Sequence, residues 1–217
     1  MMTSYQRLSP VSFPANPVKT ENRDNWTVVL EYEGEGDGPW LIDLSHRAKW
    51  DLQDGDIAAV KPWGIIVPEK PGQCIVENGT LINRMNRTQA SIWHLTGDDF
   101  AAPDSSAYTE TTDATVFLAL TGEQVFSITE KLTSLDLIDP EKKAPFLLQG
   151  PVSHIPCQVV VLKKNKDSGI ILLTCSRGYA HDMVNAILKA GEEFGLRPAG
   201  ENAFGYQLKG QKENIDE

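Results

Sequence analysis

Hydrophobic and polar positions alternate along this chain with two periods. Residues 26–33 (WTVVLEYE) are apolar and polar by turns, the period of a half-buried strand. Residues 34–39 are a glycine-rich turn, and residues 40–44 and 48–53 (AKWDLQ) are further extended segments. Residues 80–85 and 89–95 (QASIWHL) predict a hairpin over Asn86-Arg87-Thr88. Residues 62–72, rich in proline and glycine, predict loops, and the polar residues 96–112 predict a long connection.

The last third is more regular. Residues 115–120 (TVFLAL) are a short apolar run, and residues 122–135 then place Val125, Ile128, Thr129 and Leu132 on one helical face. Residues 157–164 (CQVVVLKK) and 169–175 (GIILLTC) read as strands. Asn165-Lys166-Asp167-Ser168, ending at Gly169, supplies the hairpin between them. Residues 180–194 carry Ala180, Met183, Val184, Ile187 and Leu188 at helical spacing, with Gly195 where a helix-ending glycine belongs. Residues 203–209 (AFGYQLK) predict a closing strand. The order is βαββαβ, the split βαβ or ferredoxin-like unit, which fixes a fold without fixing a function.

These segments divide the chain into an extended arm over residues 1–24, with Pro10, Pro14 and Pro17, and a strand-rich first subdomain over residues 25–110. A ferredoxin-like second subdomain over residues 111–209 and a charged tail over residues 210–217 complete it. The predicted class is α+β, with two subdomains built on antiparallel sheets. The arm is expected to be loose or to lie against a partner chain.

Composition narrows the function. The chain has 217 residues, 41% of them hydrophobic, which is enough to bury a core. A net charge of −10 argues against binding nucleic acid or docking on anionic lipid, both of which use basic surfaces. No apolar run approaches the ~20 residues of a membrane span, and the first residues show no signal-peptide pattern. Cys74, Cys157 and Cys175 are an odd count without CxxC spacing, which suits free thiols in a reducing cytoplasm.

Recognisable catalytic motifs are missing. No GxGxxG followed by an acid, P-loop, HExxH or GxSxG occurs. His46, His94, His154 and His181 share no metal-ligand spacing, and His94, in a predicted strand, is expected to be a core or pleat-facing histidine rather than a ligand. Asp98-Asp99 is expected in a solvated turn. Three clusters stand out: Ser45-His46-Arg47-Ala48-Lys49-Trp50, Asn83-Arg84-Met85-Asn86-Arg87, and Ser176-Arg177-Gly178-Tyr179. The last falls between a predicted strand and helix, where backbone N–H groups and an arginine suit a carboxylate and Tyr179 suits a flat ring. Solvated hairpin arginines and a strand-to-helix corner are the structural alternatives.

Asp43-Leu44-Ser45-His46-Arg47 resembles the Asp-x-Ser-His segment of the glycine-cleavage T-protein, an aminomethyltransferase. Residues 116–123 (VFLALTGE), Ser176-Arg177-Gly178-Tyr179 and residues 188–200 (LKAGEEFGLRPAG) resemble later segments of its folate-binding domain in the same order. The gamma subunit of heterotetrameric sarcosine oxidase is more similar still, and the resemblance spans about residues 26–209. It implies a folate-binding-domain fold, with tetrahydrofolate as the cofactor of the family's active members. It also implies partners, either other subunits of an oxidase-like complex or further copies of the chain.

The departures bear on activity. Where the T-protein has Gly-Gly-x-x-Asp-Asp, this chain has Gly79-Thr80-Leu81-Ile82-Asn83-Arg84, so an amide and a guanidinium replace two carboxylates. After Tyr179 comes Ala180-His181-Asp182, where the T-protein has Thr-Gly-Glu. The resemblance therefore implies a non-catalytic or degenerate subunit of a sarcosine-oxidase-like or one-carbon complex, with no catalytic residue of its own. The alternatives are an active tetrahydrofolate-dependent aminomethyltransferase and a stand-alone folate-binding regulator. The expected folate- or anion-binding set is Asn83, Arg84, Arg177 and Tyr179, in a pocket between the subdomains.

Overall fold

The computed structural model describes residues 5–96, 101, 103–166 and 168–209. In chain order the strands are β1 (Pro17–Arg23), β2 (Trp26–Tyr32), β3 (Trp40–Asp43), β4 (Lys49–Gln53), β5 (Cys74–Glu77), β6 (Thr80–Arg84), β7 (Gln89–His94) and β8 (Tyr108–Glu110). There follow β9 (Thr115–Glu123), helix α1 (Val125–Glu130), β10 (Phe146–Val152), β11 (Ile155–Lys164), β12 (Ser168–Ser176), helix α2 (Ala180–Gly191), β13 (Arg197–Ala199) and helix α3 (Glu201–Lys209). A six-stranded sheet runs β10-β11-β12-β9-β3-β13, a five-stranded sheet runs β5-β6-β7-β4-β8, and β1 and β2 form a separate hairpin. Every pairing between these strands is antiparallel except β13 with β3.

The two main sheets stack face to face. Along β9, Val116, Leu118 and Leu120 point to one side and meet Val125 and Ile128 of α1 and Met183, Val184 and Ile187 of α2. Phe117 and Ala119 point to the other side, where Leu81 and Trp93 of the five-stranded sheet meet them. A strand covered on both faces has no polar side to show, which is why TVFLAL and GIILLTC read as unbroken apolar runs. The far face of the five-stranded sheet packs Trp50, Leu52, Ile82 and Ile92 against Ile57, Ile65 and Val67 from the loops after β4. Single-sided β2 keeps its alternation, with Trp26, Val28 and Leu30 buried.

The mixed α+β class with mostly antiparallel sheets is as expected, while several elements differ. Residues 203–209 are helical rather than extended: Ala203, Phe204 and Leu208 share the face that joins the core between the sheets. The strand that closes the βαββαβ order is β13, an edge strand too short to show a period, where Pro198 disturbs little. Helix α1 is shorter than residues 122–135, because β9 continues to Glu123 and Leu132 packs from the turn beyond the helix. Strand β10 is an additional edge whose Gly150-Pro151 hides its pattern. Gly195 takes the left-handed conformation (φ 72°) expected of it. The expected division near residue 110 is crossed by β3, which pairs with β9 and β13 of the second half.

The arm is not free of this chain. Residues 17–23 are β1, exposed on almost every side chain and therefore aperiodic. Ahead of it, Arg7 bridges to Trp26, and Val11 and Phe13 pack on the helix-side core. Among the described residues no helix is long and apolar enough to cross a membrane. Cys157 and Cys175 are buried and unpaired, and Cys74 is half-buried and unpaired.

Candidate functional site

The four residues expected to hold a folate fall into two pairs. Asn83 and Arg84 are the last residues of β6. Asn83 is fully buried and donates to Ser91 Oγ at 3.3 Å. Arg84 is also buried and donates to the carbonyls of Asn86 (2.6 Å) and Arg87 (2.5 Å), so its guanidinium ties down its own hairpin. Arg177 and Tyr179 lie on the single 3-10 turn after β12. Arg177 donates through Nη2 to the carbonyl of Leu8 at 2.5 Å, and Tyr179 is exposed. No hydrogen bond or ion pair joins one pair to the other among the described residues, and the packed core between the sheets includes Met85, next to Arg84.

The first basic cluster has the richer surroundings. Residues 44–48 carry the chain from β3, in one sheet, to β4, in the other. The crossing is tightened by Asp43, whose Oδ1 accepts from Ser45 N at 2.9 Å, and by Arg47 N donating to Leu44 O at 2.8 Å. Lys49 is 1% exposed and donates through Nζ to the carbonyls of Ser45 and Arg47, both at 2.9 Å. Its burial pushes the ammonium down to about 7, against the opposing pull of Asp43 and Asp113. The turn thus aims His46 and Arg47 at the start of α3.

There they meet Glu201, a buried acid in the first turn of that helix. Its Oε1 lies 2.7 Å from His46 Nε2 and is also paired with Arg47, while Oε2 accepts from Arg23 Nη1 at 2.5 Å. Burial pushes the carboxyl up. The His46 hydrogen bond and the charges of Arg47, His46 and Arg23 outweigh it and hold the group at about 2. A helix N-terminus adds to the stabilisation of the anion. The knot therefore joins β1, the β3–β4 crossing and α3 through one carboxylate. Sequence reasoning found the His46–Arg47 part and missed Glu201, which lies 155 residues from His46.

A cleft of about 370 Å³ opens on the other side of His46, between residues 7–12 of the arm and strand β2. Asp43 and His46 reach it from below, with Val11, Val28 and Tyr32 among its walls. Tyr32 is pushed up to about 12 by burial and by the nearby Asp43 and Glu35, so its hydroxyl keeps its proton. Arg7 borders the same cleft but is engaged: it pairs with Asp24 and, at 2.6 Å, with Asp113, and stacks 4.8 Å from the Trp26 ring. A second cavity of about 200 Å³ lies behind the knot, against Arg47, Glu201 and α3. A shallow groove of about 920 Å³ runs between the edges of β5 and β10.

His94 is a core histidine, as its strand position implied. Nδ1 is 3.2 Å from Thr80 Oγ1, the ring meets Trp63 edge-on, and burial pushes it down to about 4. Asp98 and Asp99 lie outside the described residues. No group of three metal-ligating side chains occurs among the described residues.

No known protein family and no curated protein matches this chain. Among solved structures, the fold is similar to a chain of the heterotetrameric sarcosine oxidase from Corynebacterium sp. U-96, solved in complex with pyrrole 2-carboxylate. The identity is 15%, the likeness covers 71% of this chain and 84% of that one, and the TM-score is 0.57. At that identity the likeness establishes a related fold.

Proposed function

We propose that this chain is a subunit of a multi-chain, sarcosine-oxidase-like assembly, to which it contributes structure rather than the chemical step. The observation that carries the reading is the fold likeness to a heterotetrameric oxidase, which extends over 84% of the neighbour's chain. The chemistry of this chain supports the structural role. Aminomethyl transfer needs a carboxylate to handle a proton or an iminium charge. At the corresponding position Asn83 is buried against Ser91, and Arg84 holds its hairpin. Glu201, the carboxylate of the knot, is held ionised at about 2, too acidic to act as a base near neutral pH.

Among the described residues no hydrogen bond or ion pair joins Asn83 or Arg84 to Arg177 or Tyr179, and no step of the proposal runs through tetrahydrofolate. Calorimetry with tetrahydrofolate on the full chain tests folate binding by itself. The function is tested by supplying the purified chain with an aminomethyl donor and tetrahydrofolate, and by co-purification from the native source. Stable association with a different chain and no methylene-folate product are expected. Turnover by the chain alone would overturn the reading.

A further inference from the structure

We propose that the cleft between the N-terminal arm and β2 binds a small organic ammonium ion, with the Asp43 carboxylate as its counter-ion. The inference goes beyond the assembly role and does not depend on it.

It starts from an imbalance of charge. Asp43 is the one acid that lines the cleft among the described residues, and it differs from the arginine-paired acids nearby. Glu201 has Arg23 and Arg47, and Asp24 and Asp113 share Arg7. Asp43 is half-buried and faces the cleft, yet no cationic side chain lies within ion-pair distance of it among the described residues. Its oxygens accept one hydrogen bond each, from Ser45 N at 2.9 Å and from Ser9 Oγ at 2.5 Å. A carboxylate oxygen has room for two, so one acceptor position on each remains.

His46 stands beside it, fixed through Nε2 to Glu201. The walls supply an apolar lining from Val11 and Val28 and the ring of Tyr32. A volume of about 370 Å³ lies within the range of small-molecule pockets, roughly 300–1,000 Å³. Acceptors at the bottom, an unpaired negative charge and apolar walls suit a protonated amine carrying a hydrocarbon group. An anion fits worse. Arg7, the cation at the rim, is already held by Asp24, Asp113 and the Trp26 face, and an incoming anion would confront Asp43.

The test is titration calorimetry of the full chain with benzylammonium chloride, with benzyl alcohol as the uncharged comparator. Two variants accompany it: Asp43→Asn, which keeps an acceptor for Ser45 N, and Ser12→Trp, which fills the cleft from an exposed position on its border. Circular dichroism confirms that each is folded. Saturable binding of benzylammonium is expected, at least about tenfold tighter than benzyl alcohol. It should weaken by at least about tenfold in Asp43→Asn, as befits the loss of a charge-assisted bond. Ser12→Trp should weaken it comparably. The proposal is overturned by no saturable binding to the folded wild type, by equal affinity for the ammonium and the alcohol, or by unchanged affinity in folded Asp43→Asn. Should Asp43→Asn fail to fold, unchanged affinity in Ser12→Trp overturns it.

Discussion

Replacing Glu201 by glutamine keeps the volume of the side chain and removes its charge from beneath three basic groups. The carboxyl sits at about 2 in the folded chain against an ordinary value of 4.5. Because the folded value lies below the unfolded one, the stabilisation is fully present above pH 4.5 and is lost as pH falls through 2. The gap corresponds to about 3 kcal/mol at pH 7, of which about 1 kcal/mol remains at pH 3. A side chain only 7% exposed is little screened by solvent, and breaking a buried ion pair typically costs ~3–5 kcal/mol, the same order. Urea unfolding of wild type and Glu201→Gln at both pH values is the assay. With a slope of ~1–3 kcal/mol per molar urea, the midpoint at pH 7 should fall by about 1–3 M, and the difference should shrink by more than half at pH 3. A loss below about 1 kcal/mol at pH 7, or one independent of pH, would refute the claim that Glu201 binds three elements together.

Other substitutions probe separate parts of the structure. Lys49 is held at about 7 when folded against an ordinary 10.5, so between these values the unfolded chain binds a proton that the folded chain does not. Stability should therefore rise with pH by up to about 1.4 kcal/mol per unit over that window, and a Lys49→Met variant should lose this slope in unfolding measured from pH 7 to 10. At Gly200 an added Cβ would lie 2.2 Å from the carbonyl carbon of Leu30 and 2.3 Å from its oxygen, both backbone. Gly200→Ala is expected to cost about 3 kcal/mol and lower Tm by at least about 6 °C, and an unchanged Tm would contradict that close approach. Arg177→Ala removes the bond that holds the arm at Leu8, so trypsin should cut after Arg7 faster than in wild type. Equal cleavage rates would mean that the arm is held by other contacts alone.

The second half was legible because its strands and helices are long and covered on defined faces. Val125 and Ile128, or Met183, Val184 and Ile187, repeat at helical spacing because they share one core. Residues 203–209 were misread because Ala203, Phe204 and Leu208 satisfy a helical face while the intervening polar residues also alternate. Strands β1, β5, β8, β10 and β13 lie at edges or in the separate hairpin, where little burial is imposed and little pattern results. The knot was half legible: His46 and Arg47 stand together in sequence, but the acid that gives them a purpose arrives through tertiary folding. Asn83 and Arg84 looked like ligand groups by residue type, and only the hairpin geometry reveals that carbonyls of Asn86 and Arg87 already occupy the guanidinium.

The central claim is that this chain works inside an assembly. Native mass spectrometry of the full-length chain, purified gently from its own source, tests that directly. A complex containing this 24.0 kDa chain together with at least one different chain is the expected result. A chain found only as a monomer, or only with copies of itself, would contradict it.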